Sequence, residues 1–207
     1  KNNNKDGVVI VTGCMAQGII RDNKTIEGAD IIVGNEDRKN ILSILNEYCG
    51  EKIVNVSDIK NEREFWESNG VISEDRTRAY IKIQDGCDRY CSYCIIPYVR
   101  GPIRSRDFNE VINEAENMVK DGFSELVLIG IHLASYGRDT KGKDLMEVLE
   151  ELSKIDGIRR IRLGSLEPSF ISKGNIDRMR KLDKVCKHFH LSLQSGCDTI
   201  LKRMNRK

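Results

Sequence analysis

Three cysteines, Cys87, Cys91 and Cys94, fall at spacing C-x3-C-x2-C in one short run. Thiolates are soft ligands that suit zinc or iron–sulfur clusters. A cubane cluster ordinarily takes four cysteines. Three close cysteines with no fourth nearby leave one iron open to a substrate or cofactor, much as a catalytic zinc keeps an open position. A structural zinc site prefers four ligands, and a C-x2-C pair ordinarily faces a second pair, which this chain lacks. The remaining cysteines, Cys14, Cys49, Cys186 and Cys197, stand singly. Nothing marks the chain as secreted, which argues against a disulfide framework. Cys91 and Cys94 have no thioredoxin-like surroundings that would make them a redox pair. An iron–sulfur cluster is the expected occupant, with zinc as the alternative.

The elements that must hold this loop are legible around it. The strand-like run Ala79 to Gln84 precedes it, Gly86 permits a tight turn, and Pro97 ends it with a residue that cannot donate to a ladder. Further strands are expected at Glu125–Gly130, Arg160–Gly164 and Phe189–Gln194. Asp107 with Glu110, and Asp144 with Glu147, mark helix starts between them. Gly122 and Gly157 mark the stops. A weaker helix is expected over Asn175–Leu182 and another from Asp198. Repeated β-α steps predict a parallel barrel or part of one, with its active site at the C-terminal strand ends. The cysteine loop, Gly130-Ile131-His132, Ser165-Leu166-Glu167-Pro168 and the Ser192–Gly196 segment all fall there.

The first third of the chain reads as a separate α/β layer. Val8–Val11, Ala29–Gly34 and Lys52–Val56 are expected strands, and Asn35 is the expected cap of a helix carrying Ile41, Ile44, Leu45 and Tyr48. Residues 57–78 are largely polar and charged, with Phe65 and Trp66 as their aromatics, and read as a linker docked by those aromatics. Of the 207 residues, 39% are hydrophobic and 32% charged, the composition of a globular protein rather than a disordered one. Net charge is only +2, so the whole chain presents no strong field for nucleic acid. No apolar run approaches the roughly 18 residues of a membrane span. The N-terminus carries no signal-peptide core. The seven unevenly spaced cysteines point to a reducing cytoplasm.

The run Cys87-Asp88-Arg89-Tyr90-Cys91-Ser92-Tyr93-Cys94 resembles the cluster loop of the radical S-adenosylmethionine (SAM) enzymes. The longer string from Ile83 to Arg106, with Gln194-Ser195-Gly196 and Leu201-Lys202-Arg203-Met204, resembles the methylthiotransferases, which act on tRNA adenosines or a ribosomal protein. The resemblance implies a 4Fe-4S cluster on Cys87, Cys91 and Cys94, with SAM on the open iron. An electron from a reducing donor then breaks a carbon–sulfur bond and yields a 5′-deoxyadenosyl radical. It implies SAM contacts from Tyr93, against the adenine, and from Gly130, Ser165, Glu167 and Gln194 at the strand ends. Val11-Thr12-Gly13-Cys14-Met15-Ala16-Gln17 is similar to the segment bearing the third cysteine of the family's N-terminal domain. Cys14 is then one ligand of a second 4Fe-4S cluster whose two other cysteines are expected upstream of residue 1, so no second cluster is expected on these residues. Cys186 and Cys197 match no family ligand.

The expected fold is therefore α/β: a partial N-terminal methylthiotransferase domain with linker over residues 1–68, then a truncated radical SAM parallel barrel over 69–207. The chain is expected to be an internal piece of a longer cytoplasmic, monomeric tRNA-modifying enzyme that meets the anticodon region. Arg100, Arg104 and Arg106, and Lys202, Arg203, Arg206 and Lys207, are candidate phosphate contacts. The Gly130-Ile131-His132 form resembles the branch acting on threonylcarbamoyladenosine. Isopentenyladenosine and ribosomal-protein branches are the alternatives, and a non-catalytic zinc module that binds RNA is the alternative of another class.

Overall fold

Every residue of Ile31–Val33 is buried, as a strand covered on both faces requires. This strand is β2 of a computed structural model that describes residues 7–22, 24–65 and 77–206. Two units make it up: Lys1–Glu62 with Cys87–Pro102, and Arg63–Gly86 with Ile103–Lys207.

In the first unit, β1 (Ile10–Thr12), β2 (Ile31–Val33) and β3 (Ile53–Asn55) form a parallel sheet in that order. Side chains alternate across a strand, so β2 feeds two clusters. Ile32 packs with Ala16 of helix α1 (Cys14–Asp22), and Ile31 and Val33 pack with Ile44 of helix α2 (Ile41–Asn46). Asn35 does not cap α2, which begins after a 3-10 turn at Asp37–Asn40. Its N–H donates to Gln17 Oε1 at 2.7 Å, and its amide donates to the Val99 carbonyl at 2.6 Å. A short helix, α3 (Ile96–Val99), belongs to this unit.

In the second unit, β4 (Ala79–Asp85), β5 (Arg104–Ser105), β6 (Glu125–Gly130) and β7 (Arg160–Leu163) form a sheet of order β5-β4-β6-β7. The strands β4, β6 and β7 are parallel, and β5 runs antiparallel beside β4. Helix α4 (Phe108–Lys120) buries Val111, Ala115 and Met118, and helix α5 (Leu145–Leu152) buries Val148, Leu149 and Leu152. Asp107 caps α4 from one side only, whereas Asp144 and Glu147 make the full reciprocal box on α5. Helices α6 (Lys173–Met179) and α7 (Asp198–Arg203) follow. The strand expected at Phe189–Gln194 does not form; a single parallel bridge, Leu166 to Leu191, marks its place. Its apolar alternation, Phe189, Leu191 and Leu193, faces solvent rather than a core. Of the expected linker aromatics, Phe65 lies under the Lys82 ammonium at 5.3 Å, and Trp66 lies outside the described residues. Among the described residues no helix is long and apolar enough to cross a membrane.

Glu125 anchors the opposite end of this sheet. Its carboxylate accepts from Arg162 Nε at 2.6 Å and Arg160 Nη1 at 3.3 Å, and Arg78 Nε lies 2.7 Å away. The Arg162 hydrogen bond is the main cause that holds this carboxyl below its ordinary value of 4.5, and burial opposes it. A depressed folded-state value means the contribution is full above that ordinary value and is lost as pH falls through the folded one. Glu125→Gln is therefore expected to lower stability at neutral pH. Urea titrations should show the gap between the two proteins closing as the pH falls through the lowered folded-state value, because protonation removes the same charge.

Candidate cofactor site

The chain leaves β4 at Asp85, turns at Gly86 (φ +69°) and enters the cysteine loop at Cys87. Within the first unit, the Cys87 N–H donates to the Gly101 carbonyl at 3.0 Å and the Cys94 N–H to the Cys91 carbonyl at 2.9 Å. Tyr90 occupies the left-handed region (φ +49°), an uncommon conformation for a non-glycine residue that carries the backbone back toward Cys91. Tyr90 packs edge-on against Tyr98 with ring centroids 5.5 Å apart, and the Arg21 guanidinium lies 4.5 Å over Tyr98. None of the three cysteines is in a disulfide. Burial is the main cause that raises the Cys87 thiol, with the nearby Asp88, Cys94 and Cys91 pushing the same way and the Arg89 N–H opposing.

This donor set, three soft thiolates in one loop, is of a kind that fits an iron–sulfur cluster. Among the described residues, no three His, Cys, Asp or Glu side chains gather closely enough to hold one metal ion. A cubane is larger, and its thiolate ligands bind different irons and stand farther apart. Three thiols in one loop, with the charges of Cys94 and Cys91 acting on the Cys87 thiol, fit that arrangement.

Cys14 opens α1 directly after Gly13 (φ +93°). Around it the ends of β1, β2 and β3 are stitched by polar side chains. Gln17 Nε2 donates to the Ser57 carbonyl at 2.7 Å, and Asp37 accepts from the Ser57 N–H and hydroxyl, both at 2.7 Å. Arg100 Nε donates to Cys14 Sγ at 3.1 Å.

The second unit carries its own polar cluster at the C-terminal ends of its strands. Gln84 is fully buried. Its Nε2 donates to the Asp85 and Gly86 carbonyls at 2.6 and 2.7 Å, and its Oε1 accepts the His132 N–H at 2.6 Å. One side chain thus ties the end of β4 to the turn after β6. His132 is only 8% exposed, and its Nε2 lies 3.1 Å from Glu167 Oε2. Glu167 Oε1 lies 3.4 Å from Arg206 Nη2, which also donates to the Ser192 carbonyl at 2.5 Å. Gly130 faces Gln84 so closely that a Cβ there would meet Gln84 Cβ at 3.0 Å and its carbonyl oxygen at 3.1 Å. Gly130→Ala is expected to cost about 1–3 kcal/mol by overpacking. It should also displace the Gln84 amide from His132, seen as faster hydrogen exchange at the His132 N–H.

The expected site residues are placed unequally. Gly130 and Glu167 stand with Gln84 and His132 in the polar cluster of the second unit. Ser165 is exposed, with its hydroxyl 2.9 Å from His190 Nδ1. Gln194 is exposed and left-handed (φ +65°), in a turn outside any strand. Tyr93, in the first unit, is 53% exposed. The basic trio after the loop does not form an open phosphate surface. Arg100 turns to Cys14; Arg104 is buried 3.7 Å from Asp85 Oδ2; and Arg106 pairs with Glu114 and, at 3.6 Å, with Glu110. Gln84 and Arg206 are the residues sequence reading missed in these roles. Gln84 continues the polar register of Tyr80 and Lys82 along β4, so its burial had no signal in the sequence.

Each unit is an α/β layer built on parallel strands. The chain belongs to the Radical SAM superfamily, whose sequence model matches residues 81–207. Membership implies a 4Fe-4S cluster and SAM. The chain is 44% identical over 207 residues to the threonylcarbamoyladenosine tRNA methylthiotransferase MtaB of Bacillus subtilis, an overlap of 99% of this chain and 46% of that protein. It is 41% identical to the ribosomal protein uS12 methylthiotransferase RimO of Clostridioides difficile, over 97% of this chain and 46% of that protein. It is 37% identical to the tRNA-2-methylthio-N(6)-dimethylallyladenosine synthase of Natranaerobius thermophilus, over 100% of this chain and 47% of that protein. The chain thus spans about half the length of these relatives.

Proposed function

We propose that the chain carries the cluster-binding part of a cytoplasmic, monomeric tRNA methylthiotransferase acting at carbon 2 of N6-threonylcarbamoyladenosine beside the anticodon. Residues 1–68 are then part of an N-terminal methylthiotransferase domain with its linker, and 69–207 a radical SAM core built as part of a parallel barrel. The observation that carries this reading is the loop of three cysteines, none in a disulfide, entered directly from the C-terminal end of β4.

Cys87, Cys91 and Cys94 would hold a 4Fe-4S cluster with one iron left for SAM. When bound, the cluster and a reducing donor supply the electron that cleaves SAM. The protein's part is positioning and exclusion of water. Tyr93 offers an aromatic face on which an adenine stacks well. Gln84 fixes the strand ends of β4 and β6, and Gly130 there would be a SAM contact. Glu167, held near His132 and Arg206, presents a carboxylate suited to an ammonium or hydroxyl group, while Ser165 and Gln194 are outer polar contacts.

Relatives of all three branches are nearly as similar to this chain, so overall identity does not choose a substrate. The stretch Leu128–Gly137 supports the threonylcarbamoyl branch through its Gly130-Ile131-His132 turn. The whole protein should be given tRNAs carrying each modification. Methylthiolation of the threonylcarbamoyl form is expected. Methylthiolation of the isopentenyl form alone would reject the branch.

A further inference from the structure

Arg100 and Cys14 are 86 positions apart, yet the guanidinium Nε–H is donated to the Cys14 sulfur at 3.1 Å. The approach is built rather than incidental. Val99 is fully buried, and its carbonyl accepts the Asn35 amide at 2.6 Å, which fixes the backbone from which Arg100 departs. That same amide reaches 3.9 Å from Cys14 Sγ. Asn35 is only 5% exposed, and its Oδ1 has no hydrogen-bond partner among the described residues. Two N–H donors thus converge on one sulfur at the ends of β1 and β2. A neutral thiol is a weak acceptor, and a cysteine serving only as a small core residue needs no cation. A guanidinium donor is matched to a sulfur that carries negative charge, as a metal-bound thiolate does.

We infer that Arg100 is a positioning residue for Cys14 as a ligand of a second iron–sulfur cluster, and that its Nε–H on the ligand sulfur tunes that cluster's reduction potential. The inference rests on the reading of Cys14 as a ligand. A hydrogen bond to a ligand sulfur draws electron density away from the cluster and favours its reduced state. Outer partners of this kind also hold the ligand in its binding orientation. Lysine cannot substitute fully, because it keeps the charge but lacks the planar, fixed Nε–H. The arginine sits on the segment that follows Cys94, so one stretch of chain would supply the first cluster's ligands and a contact to the second's.

The test uses the whole protein, at the length of its relatives, with Cys87, Cys91 and Cys94 all changed to Ala. Any remaining cluster is then the second. Iron content and the midpoint potential are measured, the latter by a redox titration followed by electron paramagnetic resonance. Arg100→Met is expected to move the midpoint to more negative potential, and Arg100→Lys to move it part of the way. Should the Met variant lose its iron, the Lys variant carries the comparison. A purely structural arginine would leave the midpoint where it was, and an unchanged midpoint in the variants overturns the Arg100 role while the Cys14 ligand stands. Iron that Cys14→Ala does not lower would instead overturn the reading of Cys14.

Discussion

Cys91→Ala is expected to leave the anaerobically reconstituted chain without a stable 4Fe-4S cluster, and reductive SAM cleavage should fall to background. Three thiolates hold a cubane with one iron open, and two would leave a pair of irons exposed to solvent and exchange. Cys87→Ala and Cys94→Ala should behave alike. Cys186→Ala and Cys197→Ala serve as controls and should keep both iron and cleavage. Cys197 is the more demanding control, because it is exposed and its thiol is lowered by the Ile200 and then the Thr199 backbone N–H groups. Iron and acid-labile sulfide analysis, with visible absorption near the thiolate-to-iron bands, reads the result. Retention of the cluster in a single-cysteine variant would move the assignment elsewhere.

Gly137→Ala is expected to be the most damaging substitution for stability, on the order of 3 kcal/mol or more. Gly137 has φ +82°, and an added Cβ would fall on the Lys143 carbonyl oxygen, a backbone atom that no rotamer change can move aside. Gly122 provides the comparison: it has φ +92° but nothing within 4 Å of the same added atom. Gly122→Ala should therefore cost only the left-handed strain, roughly 1–2 kcal/mol. Equilibrium urea unfolding of both variants separates strain from collision. The site is affected too. The Gly137 N–H donates to Ser105 Oγ at 2.8 Å, and Asp139 accepts from the Ser105 N–H at 2.8 Å. Those bonds tie the segment after His132 to β5, so displacing Gly137 should also loosen the turn that carries His132. Equal costs at the two glycines would contradict the steric account.

What could be read in the chain depended on how local its cause was. The cysteine loop was legible because its chemistry lies within one run, and α5 because Asp144 and Glu147 cap it from adjacent turns. The two-residue strand β5 carries too short a pattern to be seen. The segment Phe189–Gln194 was misread because alternation alone does not say whether the apolar face has a partner; here Leu193 is 56% exposed. Asn35 looked like a cap because its type and position suit one, but long-range bonds to Gln17 and Val99 outweigh a local cap. Arg100 and Arg106 read as surface charge because their partners, Cys14 and Glu114, come from other elements. The ties from Gln84 to His132 and from Glu167 to Arg206 span strand ends that only folding brings together.

The central claim is that Cys87, Cys91 and Cys94 together hold an iron–sulfur cluster. The most direct measurement is the metal and sulfide content of the anaerobically reconstituted chain, beside the variant in which all three are Ala. The account predicts a brown, oxygen-sensitive protein with about four irons and four sulfides per chain, and a variant with neither. A colourless protein with stoichiometric zinc, or a triple variant with unchanged iron, would contradict it.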